Sequence, residues 1–159
     1  MSSNSSTVHG IKTDHTAFQD ITRILDEQAT GWNNGDALTY SKAFAEDGCF
    51  TNIFGMYHEG YDEFFRKHKM ILEGVFKGSA FEYKVSRFKF ATDELAIVET
   101  LITVSNFSKS GAFNKIYTDK NGRLITRLLQ VFQKEEDQWK IIAYHNIDIK
   151  EGIPVPELQ

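Results

Sequence analysis

The chain is poor in the residues that announce most chemistries: it has one cysteine, two prolines and no long apolar run. Cys49 alone excludes an internal disulfide framework and every multi-cysteine metal motif. No stretch approaches the roughly 20 apolar residues that span a bilayer. The opening MSSNSSTVHG has no apolar signal core, so a cytoplasmic location without membrane contact is expected. Charge of one sign is also scarce. With 18 basic and 22 acidic residues the net charge is −4, which gives no general attraction to nucleic acid. The short fingerprints are missing together: no GxGxxG after a strand, no P-loop, no HExxH, no CxxC and no GxSxG. Dinucleotide, nucleotide-phosphate, zinc-protease and serine-hydrolase chemistry lose their main supports, and no cofactor is expected. His58-Glu59 and His145-Asn146-Ile147-Asp148 contain ligand-type side chains. Neither has a recognised metal spacing, so no metal site is assigned.

What the chain has is aromatic residues: 13 Phe, six Tyr and two Trp among 159 residues, 41% of them hydrophobic and 25% charged. One domain of this size buries roughly 70% of its unfolded surface, enough for a core without staples. Residues 1–13 are Ser-rich and aperiodic, which predicts a mobile tail. Residues 14–150 are expected to form the single domain. Residues 151–159 contain both prolines and are expected to leave the body as a second tail.

The first half has helical period. Phe18, Ile21, Leu25, Gln28 and Trp32 fall on one stripe, with Asp14 or Thr16 as its cap. Gly35 and Asp36 read as a stop and a new cap for a short helix over 37–45. A strand is expected from Cys49 to Phe54. A third helix follows over 61–72, with Tyr61, Phe64, Phe65, His68, Ile71 and Leu72 on its apolar face. The second half changes to strand composition over 81–90, 95–106, 123–134 and 138–148. The breaks at 91–94 and 134–137 suit hairpin turns, and 109–122 reads as a polar connection that extends as a strand-like arm. Helices first and an antiparallel meander second argue for α+β, with helices on one face of a curved sheet.

Polar groups on faces that should be buried point to a site. Gln28 lies on the stripe of the first helix, His68 on that of the third, and Asn52 alternates with Phe50 and Phe54. A buried amide or imidazole without a partner costs about 1–3 kcal/mol. Each could bond a neighbouring backbone group; together, in an aromatic shell, they fit a ligand pocket. His68 is the acid–base candidate, held neutral by its apolar neighbours. Arg127, mid-strand among Leu124, Ile125, Leu128 and Leu129, is open to three roles: a pocket electrophile, an ion-pair partner at a dimer interface, or an outward charge. On the last strand Tyr144 and Asn146 share one face, and Trp139, Ile141, Ala143 and His145 the other. One face meets the helices and the other is expected to meet a second subunit.

Several strings together resemble a known superfamily. The segments ATGWNNGD over 29–36, FAEDGCF over 44–50, NIFG over 52–55 and WKIIAYHN over 139–146, with the helix through His68, are similar to the nuclear transport factor 2-like domains. Within them they look like the SnoaL-like, SgcJ/EcaC-type branch of mostly uncharacterised bacterial proteins. The resemblance covers about residues 15 to 149. It implies a cone: three N-terminal helices packed in the concave face of a strongly bent, mostly antiparallel sheet, with a pocket at the wide end and a homodimer through the sheet. The superfamily holds ketosteroid isomerases, scytalone dehydratase and polyketide cyclases beside members without catalysis, so function rests on the pocket. The isomerase base position corresponds to Asn52 and the oxyanion tyrosine to Gln28. The second oxyanion donor falls near 129–131, where there is no carboxyl. A ketosteroid-isomerase mechanism is therefore not expected.

Three readings follow. The first is a homodimeric small-molecule binder whose aromatic pocket takes a mostly apolar ligand, with Gln28, Trp32, Phe50, Asn52 and Phe54 on one side and Phe65, His68, Arg127, Tyr144 and Asn146 completing it. The second is a cofactor-free isomerase, cyclase or dehydratase acting on a carbonyl-containing or polyketide-like substrate, with His68 as proton shuttle and Asn52 and Gln28 holding the oxyanion. The third is an interaction module whose cone is filled by its own phenylalanines.

Overall fold

The computed structural model describes residues 8–10 and 15–158. Helix α1 (His15–Asn33) is followed by the short α2 (Ala37–Ser41), strands β2 (Phe44–Thr51) and β3 (Tyr57–Glu59), and helix α3 (Tyr61–Glu73). The long strands β4 (Ala80–Thr92), β5 (Leu95–Ser105), β6 (Leu124–Glu135) and β7 (Gln138–Asp148) form the meander. With β1 (Val8–Gly10) they make a seven-stranded sheet in the order β1-β4-β5-β6-β7-β2-β3. The β1–β4 and β2–β7 pairs are parallel and the rest antiparallel. The three helices cover one face, as the α+β reading requires.

The helices form where the apolar stripes place them. Ile21, Leu25, Gln28 and Trp32 of α1 are buried, as are Phe64, His68 and Leu72 of α3. The cap expected at Asp14 lies outside the described residues, as do 1–7, 11–13 and Gln159. Asp36 caps α2 as expected, accepting from Thr39 N at 3.1 Å and Thr39 Oγ1 at 2.6 Å. These bonds hold its carboxyl below the usual range. Asn33 closes α1 onto the sheet by exchanging two bonds with the backbone of Phe81, at 2.7 and 3.0 Å.

Four details differ from the sequence reading. Helix α2 ends at Ser41, because Phe44 and Ala45 join β2, where Phe44 pairs with Ile141 of β7. The 109–122 connection carries a 3₁₀ helix over Gly111–Lys115 and a turn closed by Asp119, and extends no strand. Val8–Gly10 sits on the sheet edge beside β4 and is no tail. The C-terminal segment folds back, with Arg127 donating to both carboxylate oxygens of Glu157 at 2.8 and 3.2 Å and Lys84 to its carbonyl at 2.8 Å. Two prolines end a ladder without sending the chain into solvent.

The last strand also departs from simple alternation. Phe132 pairs with Ile141 and Val131 with Ala143, so Ile142 is an extra residue in β7. Beyond this bulge the faces exchange: Trp139 and Ile141 share the helix side with Tyr144 and Asp148, and all four are buried. His145 and Ile147 point outward.

At the centre of the covered face, Gln28 and Gln130 exchange amide bonds at 2.9 and 3.2 Å while nearly fully buried. Each satisfies the other, so the cost of burying either is offset only while both are present. Gln28→Leu is expected to destabilise the fold by about 1–3 kcal/mol by stranding the Gln130 amide. The double variant Gln28→Leu/Gln130→Leu is expected to recover most of that loss. Urea denaturation of the single and double variants checks both outcomes.

Candidate functional site

Between α1, α2, α3 and the covered face of β5–β7 lies a cavity of about 240 Å³ that opens to the surface. Its inner wall is aromatic and aliphatic: Trp32, Phe50, Phe76, Phe81, Ile102 and Leu128. The mouth is formed by the turn at Asn52–Met56, the side of α3 at Lys67 and Met70, and the 3₁₀ helix at Ala112 and Phe113. Phe54 and Phe113 meet edge to face there, ring centres 5.1 Å apart.

The sequence-expected residues divide in two. Trp32, Phe50, Asn52, Phe54, His68, Tyr144 and Asn146 line this cavity. Gln28, Phe65 and Arg127 do not. Gln28 is used up by Gln130. Phe65 stacks on Tyr61 at 6.4 Å along α3. Arg127 lies on the opposite face of the sheet, bound to Glu157 and 3.7 Å from Glu99. It is neither a pocket electrophile nor a free charge, since the chain's own C-terminal segment supplies its partner.

Asn52 serves the backbone. Its Oδ1 accepts from Phe54 N and Met56 N, both at 3.0 Å, and so shapes the turn at the mouth. Trp32 donates from Nε1 to Ser79 Oγ at 2.8 Å, and Ser79 passes the bond on to the Phe76 carbonyl at 2.7 Å. The indole therefore presents its ring to the cavity with its one donor spent.

His68 and a tyrosine pair make the polar end. The His68 ring packs 4.1 Å from Phe64 and 4.8 Å from Tyr40, centre to centre. Its Nδ1 lies 2.7 Å from the Phe64 carbonyl. A carbonyl only accepts, so Nδ1 carries the proton and Nε2 presents a lone pair. Burial pushes the imidazole down to about 4, against the smaller opposing effect of that carbonyl bond. Tyr40 was not singled out from the sequence; it lay on a short helix without a polar pattern. Its hydroxyl meets that of Tyr144 at 2.6 Å. Burial raises both phenols, Tyr144 to about 12. Two phenols sharing one bond leave one proton without an acceptor in the pair. Thr126 Oγ1 and Asn146 Oδ1, on neighbouring strands of the same wall, are also buried without a partner. Among the described residues no three His, Cys, Asp or Glu side chains gather as a metal centre. No described helix is long and apolar enough to cross a membrane.

The depressed imidazole makes stability depend on pH. The unfolded chain takes up the His68 proton near 6.5, whereas the folded one resists it until about 4. Stability is therefore lost as pH falls through that window and is constant in this respect above it. From this residue alone, the protein is expected to be about 2 kcal/mol less stable at pH 5 than at pH 7. In His68→Phe that share of the difference should vanish, as urea denaturation at the two pH values would show.

No protein-family model matches the chain, and no curated protein matches it in sequence. Solved structures do match in shape. A domain of unknown function with a cystatin-like fold from Nostoc punctiforme superposes with a TM-score of 0.72 at 20% identity, over 87% of this chain and 81% of that one. An NTF-2 like protein of unknown function from Shewanella oneidensis gives 0.67 at 18% identity, over 83% and 99%. A ketosteroid isomerase-like protein from Erwinia carotovora atroseptica gives 0.65 at 15% identity, over 86% and 99%. The chain has the nuclear transport factor 2-like fold, three helices against a mostly antiparallel sheet.

Proposed function

We propose that the protein binds a small, mostly apolar molecule in the cavity beneath Trp32, His68 and Tyr144. The observation that carries this reading is the character of the lining. It is a mainly aromatic and aliphatic enclosure of about 240 Å³, open at one end, with no Asp, Glu or Cys among the described residues that line it. For scale, a cavity of roughly 150 Å³ takes benzene. The open volume counts against a cone filled by its own phenylalanines. Turnover by His68 is the weaker reading, because no lining carboxylate orients the imidazole and burial leaves it a poor base at neutral pH. Of the expected oxyanion holders, Gln28 is committed to Gln130, while Asn52 spends its acceptor Oδ1 on the turn. Membership of the SnoaL-like, SgcJ/EcaC-type branch belongs to the same proposal.

A ligand at about a hundred times its dissociation constant adds roughly 2.7 kcal/mol, several degrees of melting temperature for a domain this size. A thermal-shift screen against apolar ring compounds is expected to give such shifts. Ala112→Trp, on the exposed rim, should abolish them while leaving the unliganded melting temperature nearly unchanged. A screen without any shift would remove the binding reading.

The proposal includes a homodimer through the outer face of the sheet. Support comes from Leu129 and Ile147, 40% and 66% exposed on neighbouring strands of that face. Ile147→Asp is expected to sediment as a monomer where the parent sediments as a dimer.

A further inference from the structure

Resting on the binding reading, we propose that the ligand is a neutral apolar ring compound carrying a hydroxyl group, seated with that hydroxyl between His68 Nε2 and the Tyr40–Tyr144 pair. The protein leaves two particular hydrogen-bonding capacities open at this end of the cavity. Because the Phe64 carbonyl fixes the proton on Nδ1, the other ring nitrogen can only accept, and none of the described residues donates to it. Because the two phenols share one bond, one phenolic proton needs an acceptor that neither supplies. Both tyrosines and His68 line the cavity, with ring centres of His68 4.8 Å from Tyr40 and 5.9 Å from Tyr144. One open acceptor and one open donor therefore lie on adjacent rings at the end of a largely apolar chamber, with Thr126 Oγ1 and Asn146 Oδ1 also unpartnered on the sheet wall. A hydroxyl complements both from a single oxygen, giving its proton to the imidazole and taking the phenolic one.

Other head groups fit less well. A ketone accepts the phenolic proton but turns a second lone pair toward Nε2. A hydrocarbon leaves both capacities unmet. A carboxylate brings a charge to an end that offers hydroxyl donors but no cation, since the imidazole is neutral there. Among the described residues of the lining the one cationic side chain, Lys67, stands at the mouth on α3 and is half-buried. A ligand that used it would lie the other way round, with its head outward.

Four molecules of nearly equal skeleton separate these cases: thymol, p-cymene, carvone and cuminate, titrated calorimetrically into the intact protein at pH 7. Thymol is expected to bind at least tenfold tighter than p-cymene, carvone and cuminate. Tyr40→Phe/Tyr144→Phe removes both hydroxyls at constant shape and should reduce the thymol-to-cymene ratio to near one while cymene still binds. His68→Phe should lower it as well; if that variant fails to fold, the tyrosine double variant decides. Equal binding of thymol and p-cymene would overturn the hydroxyl assignment and leave the apolar pocket standing. Tightest binding by cuminate, lost in Lys67→Met, would overturn it in favour of an anionic head group at the mouth. If none of the four binds, the hydroxyl assignment and the binding reading both fall.

Discussion

A single extra residue, Ile142 in β7, decides what the cavity contains. In a strand the side chains alternate, and one added residue exchanges the faces for everything beyond it. Trp139 and Ile141 therefore pack beneath the helices before the bulge, and Tyr144 and Asp148 after it. Strand β2 takes its register from the segment past the bulge, pairing Cys49 with Ala143 and Phe50 with Tyr144. Phe50 thereby shares the cavity wall with Tyr144. Were Ile142 to take an ordinary place in the alternation instead of forming the bulge, Ala143 and His145 would face the helices, and the hydroxyl of Tyr40 would have no partner on the sheet.

The covered face then handles its polar groups in two ways. At its centre Gln28 and Gln130 close on each other, and Trp32 closes on Ser79. Complete satisfaction of this kind fixes one packing and leaves nothing for a ligand. Toward the cavity, satisfaction stops halfway: His68 spends one nitrogen and the tyrosines one proton between them. The position of Tyr40 depends in turn on Gly31. A Cβ there would lie 2.6 Å from Tyr40 N, so α1 and α2 approach this closely only at a glycine. Chain geometry at Gly31 and the bulge at Ile142 thus bring the two hydroxyls together from opposite layers.

Much of this was legible in the sequence, because the fold is written in periodicities. The stripes through Ile21 and Leu25 and through Phe64 and Leu72 are buried, and β7 spans 138–148 as its composition indicates. The site was half legible for the same reason. His68 and Tyr144 could be found as polar or aromatic residues on a buried face. Gln28 met the same criterion and fails as a site residue, since its partner is 102 positions away and no local pattern announces Gln130. Arg127 shows the converse: three roles stood open for it, and its partner comes from the chain's own C-terminal segment, 30 positions on. Tyr40 was missed because its importance is a contact with a residue 104 positions further on. The bulge is hidden because Ile141, Ile142, Ala143 and Tyr144 form one apolar run, in which no alternation shows where the faces exchange.

The mouth follows from the same division of labour. A chamber whose polar end is neutral gains nothing from a charged vestibule, and its rim carries apolar side chains that remain in water: Phe54, Met56 and Met70 are all more than two-fifths exposed. Two irregular segments bring this rim together. Asn52 holds the turn that carries Phe54 by accepting from two backbone N–H groups, and the 3₁₀ helix carries Phe113 into edge contact with it. Neither segment belongs to the sheet ladder, and Phe113 also packs edge to face on Phe76 of the inner wall, ring centres 5.2 Å apart. Asn52 keeps its place among the site residues as the one that shapes the opening.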